Sequence, residues 1–282
     1  MCVSSRYSLL TGRTPARTGV YHNDAMTLGA AISPAPAFTG SFVDAGHRVV
    51  DFGKGHVPRG LDAFPETDGT GANQLQLMEV AGTIDDRVAA AYGGTLAAAW
   101  PAGRPYPPEQ VTDNVVRFLA EMADDPRPFF CRASFLQPHT PVIVPEPWAG
   151  RYDDEPWPDT VEADPQLSVF EARYGEQGGV QAMTPPQVRA IRSRYHGLVA
   201  WLDDQVGRIL DALDASGRAG DTIVVFCADH GALLGELGGG IGKQVFSPPS
   251  QQVPLLVSWP GTIDAGTVDT TLASGVDLAP TL

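Results

Sequence analysis

The sequence predicts an α/β fold in which a mixed, largely parallel sheet lies between helices. Short apolar segments that suit buried strands alternate with longer segments whose apolar residues recur at helical spacing. Polar residues follow directly after several of these strands, and open α/β sheets place ligand groups at the carboxyl ends of their strands. We therefore expect a single domain over residues 1–282.

The helices and strands are predicted from their apolar periodicity and their boundary residues. An amphipathic helix is expected at 108–123, and a longer one at 184–217 begins with Thr-Pro-Pro and ends at a glycine. The segment 222–227 has the continuous apolar composition of a buried parallel strand. The other predicted elements are a loop at 14–21, a helix at 37–45, and strands at 48–52, 129–136 and 253–259.

Two segments are predicted to be variable insertions over a pocket. Residues 57–107 have weak periodicity and many glycines and alanines, and residues 142–183 are rich in Pro, Asp, Glu and Trp. Loops of this kind often determine specificity. For 142–183, a solvated charged loop without such a role is the alternative.

The composition excludes several classes of protein. The net charge of −14 argues against a broad basic surface for nucleic acid, so an anionic ligand would need a local positive pocket. The sequence contains no run of 18 or more apolar residues, which is about the length that a membrane-spanning helix needs. Three cysteines give no disulfide framework, and Cys131 and Cys227 are expected in the core. The only two lysines are Lys54 and Lys243, against 17 arginines.

The segment 2–13 carries the strongest local signal. Cys2 and Arg6 are four residues apart and share one face of a predicted helix, which Thr11-Gly12 would end. Ser4 and Ser5 suit the first turn, where backbone N–H groups can hold an anion. This arrangement suits attack on an oxyanion ester, and an ordinary helix start with a buried cysteine is the alternative.

Other polar residues follow the predicted strands. Lys54 and His56 come after the strand at 48–52, and His139 lies between prolines after 129–136. Asp229 and His230 follow 222–227, and a carboxylate beside an imidazole suits a divalent cation. A glycine-rich turn, a loop histidine and an isolated Asp-His pair are the corresponding alternatives.

Together these segments resemble the formylglycine-dependent type I sulfatases of the alkaline phosphatase superfamily. Residues 2–12 match Cys-x-Pro-Ser-Arg and a later Leu-Thr-Gly, with serine in place of proline at position 4. Residues 53–56 match Gly-Lys-x-His, with glycine in place of the usual tryptophan, and 138–139 match the family's Pro-His. Residues 229–236 match Asp-His-Gly-x-x-Leu-Gly-Glu, with the downstream lysine at 243 and leucine rather than histidine at 237.

The resemblance implies a set of roles for these residues. A maturase would oxidise Cys2 to formylglycine, whose hydrated aldehyde is the nucleophile, and Ser4 occupies a position that such enzymes read. His56 would be the base that releases sulfate and His139 the acid for the leaving alcohol. A divalent cation is implied, with Ca²⁺ preferred and Mg²⁺ or Mn²⁺ as alternatives. The implied catalytic residues are Cys2, Arg6, Lys54, His56, His139 and Lys243, and the implied metal ligands are Asp229, His230 and modified Cys2.

The expected activity is hydrolysis of a small-molecule or saccharide sulfate ester to an alcohol and inorganic sulfate. A phosphonate monoester or phosphodiester hydrolase of the same superfamily is the alternative, and an inactive fragment or non-catalytic relative is the second. The family carries a strand with two aspartates before the signature, so we expect a chain incomplete at both ends, lacking the first strand and inactive as given. A periplasmic or secreted location follows by family analogy alone, and the compartment stays unknown.

Overall fold

The computed structural model describes residues 1–23, 35–58, 61, 63–68, 97–158, 185–236, 241–243 and 246–282. The described helices are α1 Cys2–Thr11, α2 Pro15–Thr18, α3 Thr39–Asp44, α4 Glu109–Met122, α5 Pro185–Ala215, α6 Pro248–Gln251 and α7 Leu278–Thr281, with 3₁₀ turns at Ala219–Asp221 and Gly275–Asp277. The strands are β1 Arg48–Gly53, β2 Glu66–Thr67, β3 Ala97–Ala99, β4 Phe129–Ser134, β5 Val142–Val144, β6 Val224–Cys227, β7 Leu233–Leu234, β8 Ile241–Gly242 and β9 Leu255–Ser258.

The strands form a mixed set of sheets, which confirms the predicted fold class. β1 lies between β2 and β4 and is parallel to both, and β3 pairs in parallel with β5. β6 and β9 form an antiparallel pair, and β7 and β8 form a hairpin. The register of β1 and β4 places Gly53 opposite Ser134, so both strands end at one edge of the sheet.

The helix boundaries follow the chain's capping residues. α1 ends at Gly12, whose φ of 62° is left-handed and whose N–H bonds to Ser8 O. The segment 14–21, predicted as a loop, instead contains the one-turn helix α2. Its Pro15 fits the first helical position, and Gly19 supplies a left-handed end. No described helix is long and apolar enough to cross a membrane.

The long helix α5 joins two hydrophobic cores. Its first half packs Leu198 and Trp201 against β5, in a cluster that also contains Tyr106. Its last turns place Leu213 in a second cluster with residues of α4 and β1, including Phe118. Because one rigid helix contributes to both cores, it fixes their relative position.

The structure corrects two predicted core strands. Among the described residues, β6 pairs only with β9 and antiparallel, rather than as a buried parallel strand. Phe226 in β6 is 38% exposed and Leu256 in β9 is 59% exposed. Cys227, predicted to lie in the core, is also exposed. Apolar composition shows that a strand favours covered faces, but the described part of the chain leaves these faces partly open.

Short strands lie in the parts of the predicted insertions that the structure describes. The segment 142–183 begins with the fully buried strand β5 instead of a loop. The segment 57–107 contains β2 and β3, each paired in parallel with another strand. Most of both insertions, at 69–96 and 159–184, and the predicted cap Thr184 lie outside the described residues.

Two glycines of α5 give a test of the packing between this helix and the turn after β5. A Cβ at Gly197 would lie 2.6 Å from Trp148 O and 3.2 Å from Val144 Cγ1, whereas one at Gly207 would meet nothing within 4 Å. We expect Gly197→Ala to lower the free energy of unfolding by about 1–3 kcal/mol, because a close backbone contact must open. Gly207→Ala should raise it by up to about 1 kcal/mol, since alanine favours helix. Urea denaturation measures both, and equal effects would contradict the packing.

Candidate active site

The guanidinium of Arg6 joins the carboxyl ends of three strands. Its Nη1 donates to Lys54 O at 2.9 Å, just after β1, and to Ser134 Oγ at 2.8 Å, the last residue of β4. Its Nε donates to Asp229 Oδ2 at 2.7 Å, just after β6. Burial opposes the charge of Asp229, but Arg6 holds the pKa of this carboxyl below its usual value. α1 is thereby fixed across the edge of the sheet.

The segment after β1 is held against the end of β4. Lys54 N donates to Ser134 O at 2.8 Å, and Ser134 Oγ donates to Lys54 O at 2.8 Å. Gly53 has a φ of +97°, and a Cβ there would lie 2.3 Å from Ser134 O, so only glycine fits. Lys54 is 5% exposed, and burial together with the charge of Arg6 lowers its pKa to about 8.

Cys2 lies at the centre of the site and is fully buried. Its Sγ is 3.1 Å from His230 Nε2, and Lys243 Nζ donates to it at 2.8 Å. Burial opposes ionisation of this thiol. The neighbouring imidazoles of His139, His230 and His56 and the charge of Lys243 outweigh burial and lower the pKa of Cys2 far below its usual value.

Two of these histidines have the same tautomer. His230 Nδ1 is 2.8 Å from Gly231 O, and His139 Nδ1 is 2.5 Å from Thr140 O. A carbonyl oxygen only accepts, so Nδ1 carries a proton in both rings. In each ring Nε2 therefore remains to accept a proton, bind a metal or, when protonated, donate to the sulfur.

His56 has an unusual backbone and a free ring atom. Its φ of 50° lies in the left-handed region, which a non-glycine residue rarely adopts. Its Nδ1 is buried and has no hydrogen-bond partner among the described residues. Strained residues and unsatisfied polar atoms are concentrated at functional sites. Both features therefore agree with a role for this imidazole in the site.

One face of the site can hold a metal ion. Cys2, Asp229 and His230 each turn one ligand atom inward, and these atoms lie within 4.8 Å of one another. Arg6 occupies Asp229 Oδ2, and Asp229 Oδ1 lies 3.6 Å from His230 Nε2. A carboxylate oxygen and an imidazole nitrogen suit a divalent cation, and they fill part of the six to eight positions that Ca²⁺ takes. The described residues thus fit one side of such an ion.

The structure brings together all eight residues singled out from the sequence. His56, His139, His230 and Lys243 act on the Cys2 sulfur, and Lys243 lies 241 residues from it in the chain. Arg6 connects the remaining two, Lys54 and Asp229, to the same helix. At the start of the helix, Val3 N donates to Asn23 Oδ1 at 3.1 Å. The two serine hydroxyls instead donate to carbonyl oxygens, Ser4 to Met1 O and Ser5 to Asp229 O.

Sequence reasoning missed Ser134, which binds both Arg6 and Lys54. The available signal was its place near the end of a predicted strand, shortly before Pro138-His139. It also missed Asn23, which accepts from Val3 N and from the amino group of Met1. No pattern in the sequence marks that asparagine.

Comparisons with known proteins agree on one family. The family model described as Sulfatase matches residues 1–282. The choline-sulfatase of Rhizobium meliloti is 29% identical over 309 residues, which cover 100% of this chain and 57% of that protein. Human iduronate 2-sulfatase is 33% identical over 172 residues, covering 55% of this chain and 31% of that protein. The chain therefore spans about half or less of these relatives.

Solved structures share the fold. The structure of BT4656 in complex with its substrate D-glucosamine-2-N,6-O-disulfate has a TM-score of 0.73 at 19% identity and covers 100% of this chain and 66% of that one. A phosphonate monoester hydrolase from Silicibacter pomeroyi has a TM-score of 0.68 at 23% identity, covering 100% and 63%. Likeness at this identity shows a common fold and leaves the reaction to the site.

Cys2 and the half-buried Cys131 allow a test of the electrostatics in protein whose Cys2 thiol is unmodified. We expect Cys2 to be ionised at neutral pH, whereas burial raises the pKa of Cys131 to about 12. The ultraviolet absorbance of the thiolate, followed against pH in wild type, Cys2→Ser and Cys131→Ser, assigns each step. Since the folded-state pKa of Cys2 is depressed, its stabilisation is complete above about pH 8.5, the usual thiol value, and is lost as pH falls. A Cys2 thiol that first ionises above that value would contradict this environment.

Proposed function

The chain belongs to the sulfatase family, and on that premise we propose that it hydrolyses a sulfate ester to an alcohol and inorganic sulfate. The supporting observation is the convergence of Arg6, Lys54 and Lys243 on Cys2. Both lysines of a chain with a net charge of −14 lie there. Positive charge gathered at one place in an acidic protein attracts anions, which supports a binding site for an anionic group.

The cationic side chains would bind the sulfate group and stabilise its transition state. Charge that develops on the sulfate oxygens during transfer is stabilised by donors fixed in advance, and burial strengthens these contacts. Lys243 Nζ donates a hydrogen bond to Cys2 Sγ, and Lys54 is buried beside Arg6. Arg6 holds Asp229 at the same time, so it would link anion binding to the metal face.

Two histidines would move protons. His139 Nδ1 is occupied by Thr140 O, so its Nε2 is the atom that can protonate a leaving alcohol. His56, whose Nδ1 has no partner among the described residues, would take the proton from the group at position 2 when sulfate is released. His230 Nε2 would instead face the metal.

The family implies a divalent metal and formylglycine at the active-site cysteine. We propose Ca²⁺, held by Asp229, His230 and the modified Cys2, with Mg²⁺ and Mn²⁺ as the alternatives. When bound, such an ion acts as a Lewis acid toward a sulfate oxygen. A maturase is the implied partner, and Ser4 is the position at which its recognition differs from the family pattern.

The substrate class that we propose is taken from the substrates named for related proteins. One relative is a choline-sulfatase and one solved neighbour is described with a sulfated glucosamine. We accordingly propose a small-molecule or saccharide sulfate ester. The alternative is a phosphonate monoester or a phosphodiester, because a hydrolase of phosphonate monoesters shares the fold.

The test is to express the complete gene product with and without a formylglycine-generating maturase. Mass spectrometry of the peptide containing Cys2 measures conversion, and hydrolysis of an aryl sulfate, an aryl phosphonate monoester and a phosphodiester measures the reaction. We expect conversion, with sulfate ester the preferred substrate, and Ser4→Pro should raise the converted fraction. Preference for the phosphonate would favour the alternative. Converted protein with no activity on any ester would contradict the proposal.

A second prediction concerns the proposed proton donor. His139→Ala should slow alkyl sulfates far more than activated aryl sulfates, because only a poor leaving group needs a proton in the transition state. General acid catalysis contributes roughly 10²–10⁴-fold, which sets the expected loss for alkyl esters. His196→Ala is the matched control, since that ring stacks on Trp157 at 4.4 Å and has no contact with Cys2 among those described. Equal losses for both ester types would refute the role of His139.

A further inference from the structure

A buried arginine outside the site holds the hairpin that connects its two halves. Asp229 and His230 precede β7, and Lys243 directly follows β8, so the β7–β8 hairpin carries catalytic groups at both of its ends. Its outer side packs on α5, where Arg192 is only 5% exposed.

Every nitrogen of the Arg192 guanidinium meets an acceptor near this hairpin. Its Nε donates to Leu234 O at 2.7 Å, and its Nη1 donates to Pro158 O at 2.6 Å. Its Nη2 lies 3.7 Å from Glu236 Oε1. Glu236 in turn accepts from Leu234 N at 2.5 Å through Oε2, so arginine and glutamate together hold both polar backbone groups of Leu234.

The steric fit on the same face is equally close. Gly235 has a φ of +107°, and a Cβ there would lie 2.4 Å from Val188 Cγ1 and 3.4 Å from Arg192 Nη2. The hairpin therefore approaches α5 as far as a backbone without a side chain allows. If this contact shifted, the paired strands β7 and β8 would shift with it and would displace the residues at their ends.

We propose that Arg192 is a positioning residue that fixes Asp229, His230 and Lys243 relative to Cys2. The planar guanidinium suits this task, because its rigid donors can hold several acceptors at once and a lysine ammonium cannot reproduce that geometry. Arg192 touches none of the reacting atoms among its described contacts. This inference deepens the proposed function, and its structural test needs no sulfatase activity.

The first experiment uses the complete gene product with Cys2 unconverted and cysteines labelled with ¹³C at Cβ. The Cys2 resonance, assigned with Cys2→Ser, reports the contacts of Sγ with His230 and Lys243. We expect Arg192→Gln and Gly235→Ala to move it toward its position in Lys243→Met, with Arg192→Lys in between. Arg208→Gln is the matched control, since Arg208 lies on the same helix, 42% exposed, and binds Asp113.

A loss of stability must be separated from a loss of position. Leu213→Ala removes a buried side chain from the other core on α5 and should lower Tm without moving the Cys2 resonance. In converted enzyme, Arg192→Gln should lower kcat/KM about 100-fold, as expected for a misplacement of roughly 1 Å. Arg208→Gln should leave kcat/KM unchanged.

The possible outcomes separate the positioning role of Arg192 from the proposed function. A folded Arg192→Gln protein with the wild-type Cys2 resonance would overturn the inference, and so would a shift of equal size in Leu213→Ala. If Arg192→Gln does not fold, Gly235→Ala and Arg192→Lys give the same reading. If wild type is inactive on every ester while the Cys2 resonance still responds to Arg192, the proposed function fails and the positioning role stands.

Discussion

The site depends on the hydrogen bonds of Arg6. The described strands lie in four separate sheets, and β4 and β6 are not paired with each other. A single guanidinium on α1 nevertheless binds the end of β4 through Ser134 and the carboxylate that follows β6, Asp229. The contact with Ser134 is buried and that with Asp229 is largely so, which leaves both stronger than they would be at the surface. Loss of Arg6 would leave the largely buried carboxylate of Asp229 without its ion-pair partner, which is costly.

Positive charge is concentrated where the sheets meet, and burial makes that arrangement expensive. Lys54 shows the cost directly, because burial and the neighbouring Arg6 lower its pKa to about 8. The charge of Arg6 is balanced by Asp229, while that of Lys243 is balanced by the sulfur of Cys2. Burying these cations lowers the stability of the fold, so their arrangement indicates a function for the positive field that they create.

The sequence predicted the site better than it predicted the sheet. Residues that follow the predicted strands were expected to meet at the edge of one sheet. Lys54 and Asp229 do meet through Arg6, although β1 and β6 lie in different sheets of the described chain. The helix with Cys2 was likewise predictable from spacing and from its terminal glycine. The exposure of β6 was not, because composition states which faces favour burial and not what covers them. Ser134 was missed for a related reason, since its role depends on the register of two strands far apart in the chain.

The charge at position 2 would connect the proposed conversion of Cys2 to the proposed reaction. As a cysteine, this residue accepts a hydrogen bond from Lys243, and its environment lowers the pKa of its thiol. The thiolate that we expect would neutralise part of the surrounding positive charge. Conversion to formylglycine would replace that anion with a neutral aldehyde, while Arg6 and the two lysines stay in place. Arg6 would keep its pairing with Asp229, but Lys243 would lose its counter-charge in a region of low dielectric, where attraction for an anion is strong. An anionic ester would supply the missing negative charge. The modification that would create the nucleophile would therefore also strengthen binding of the substrate.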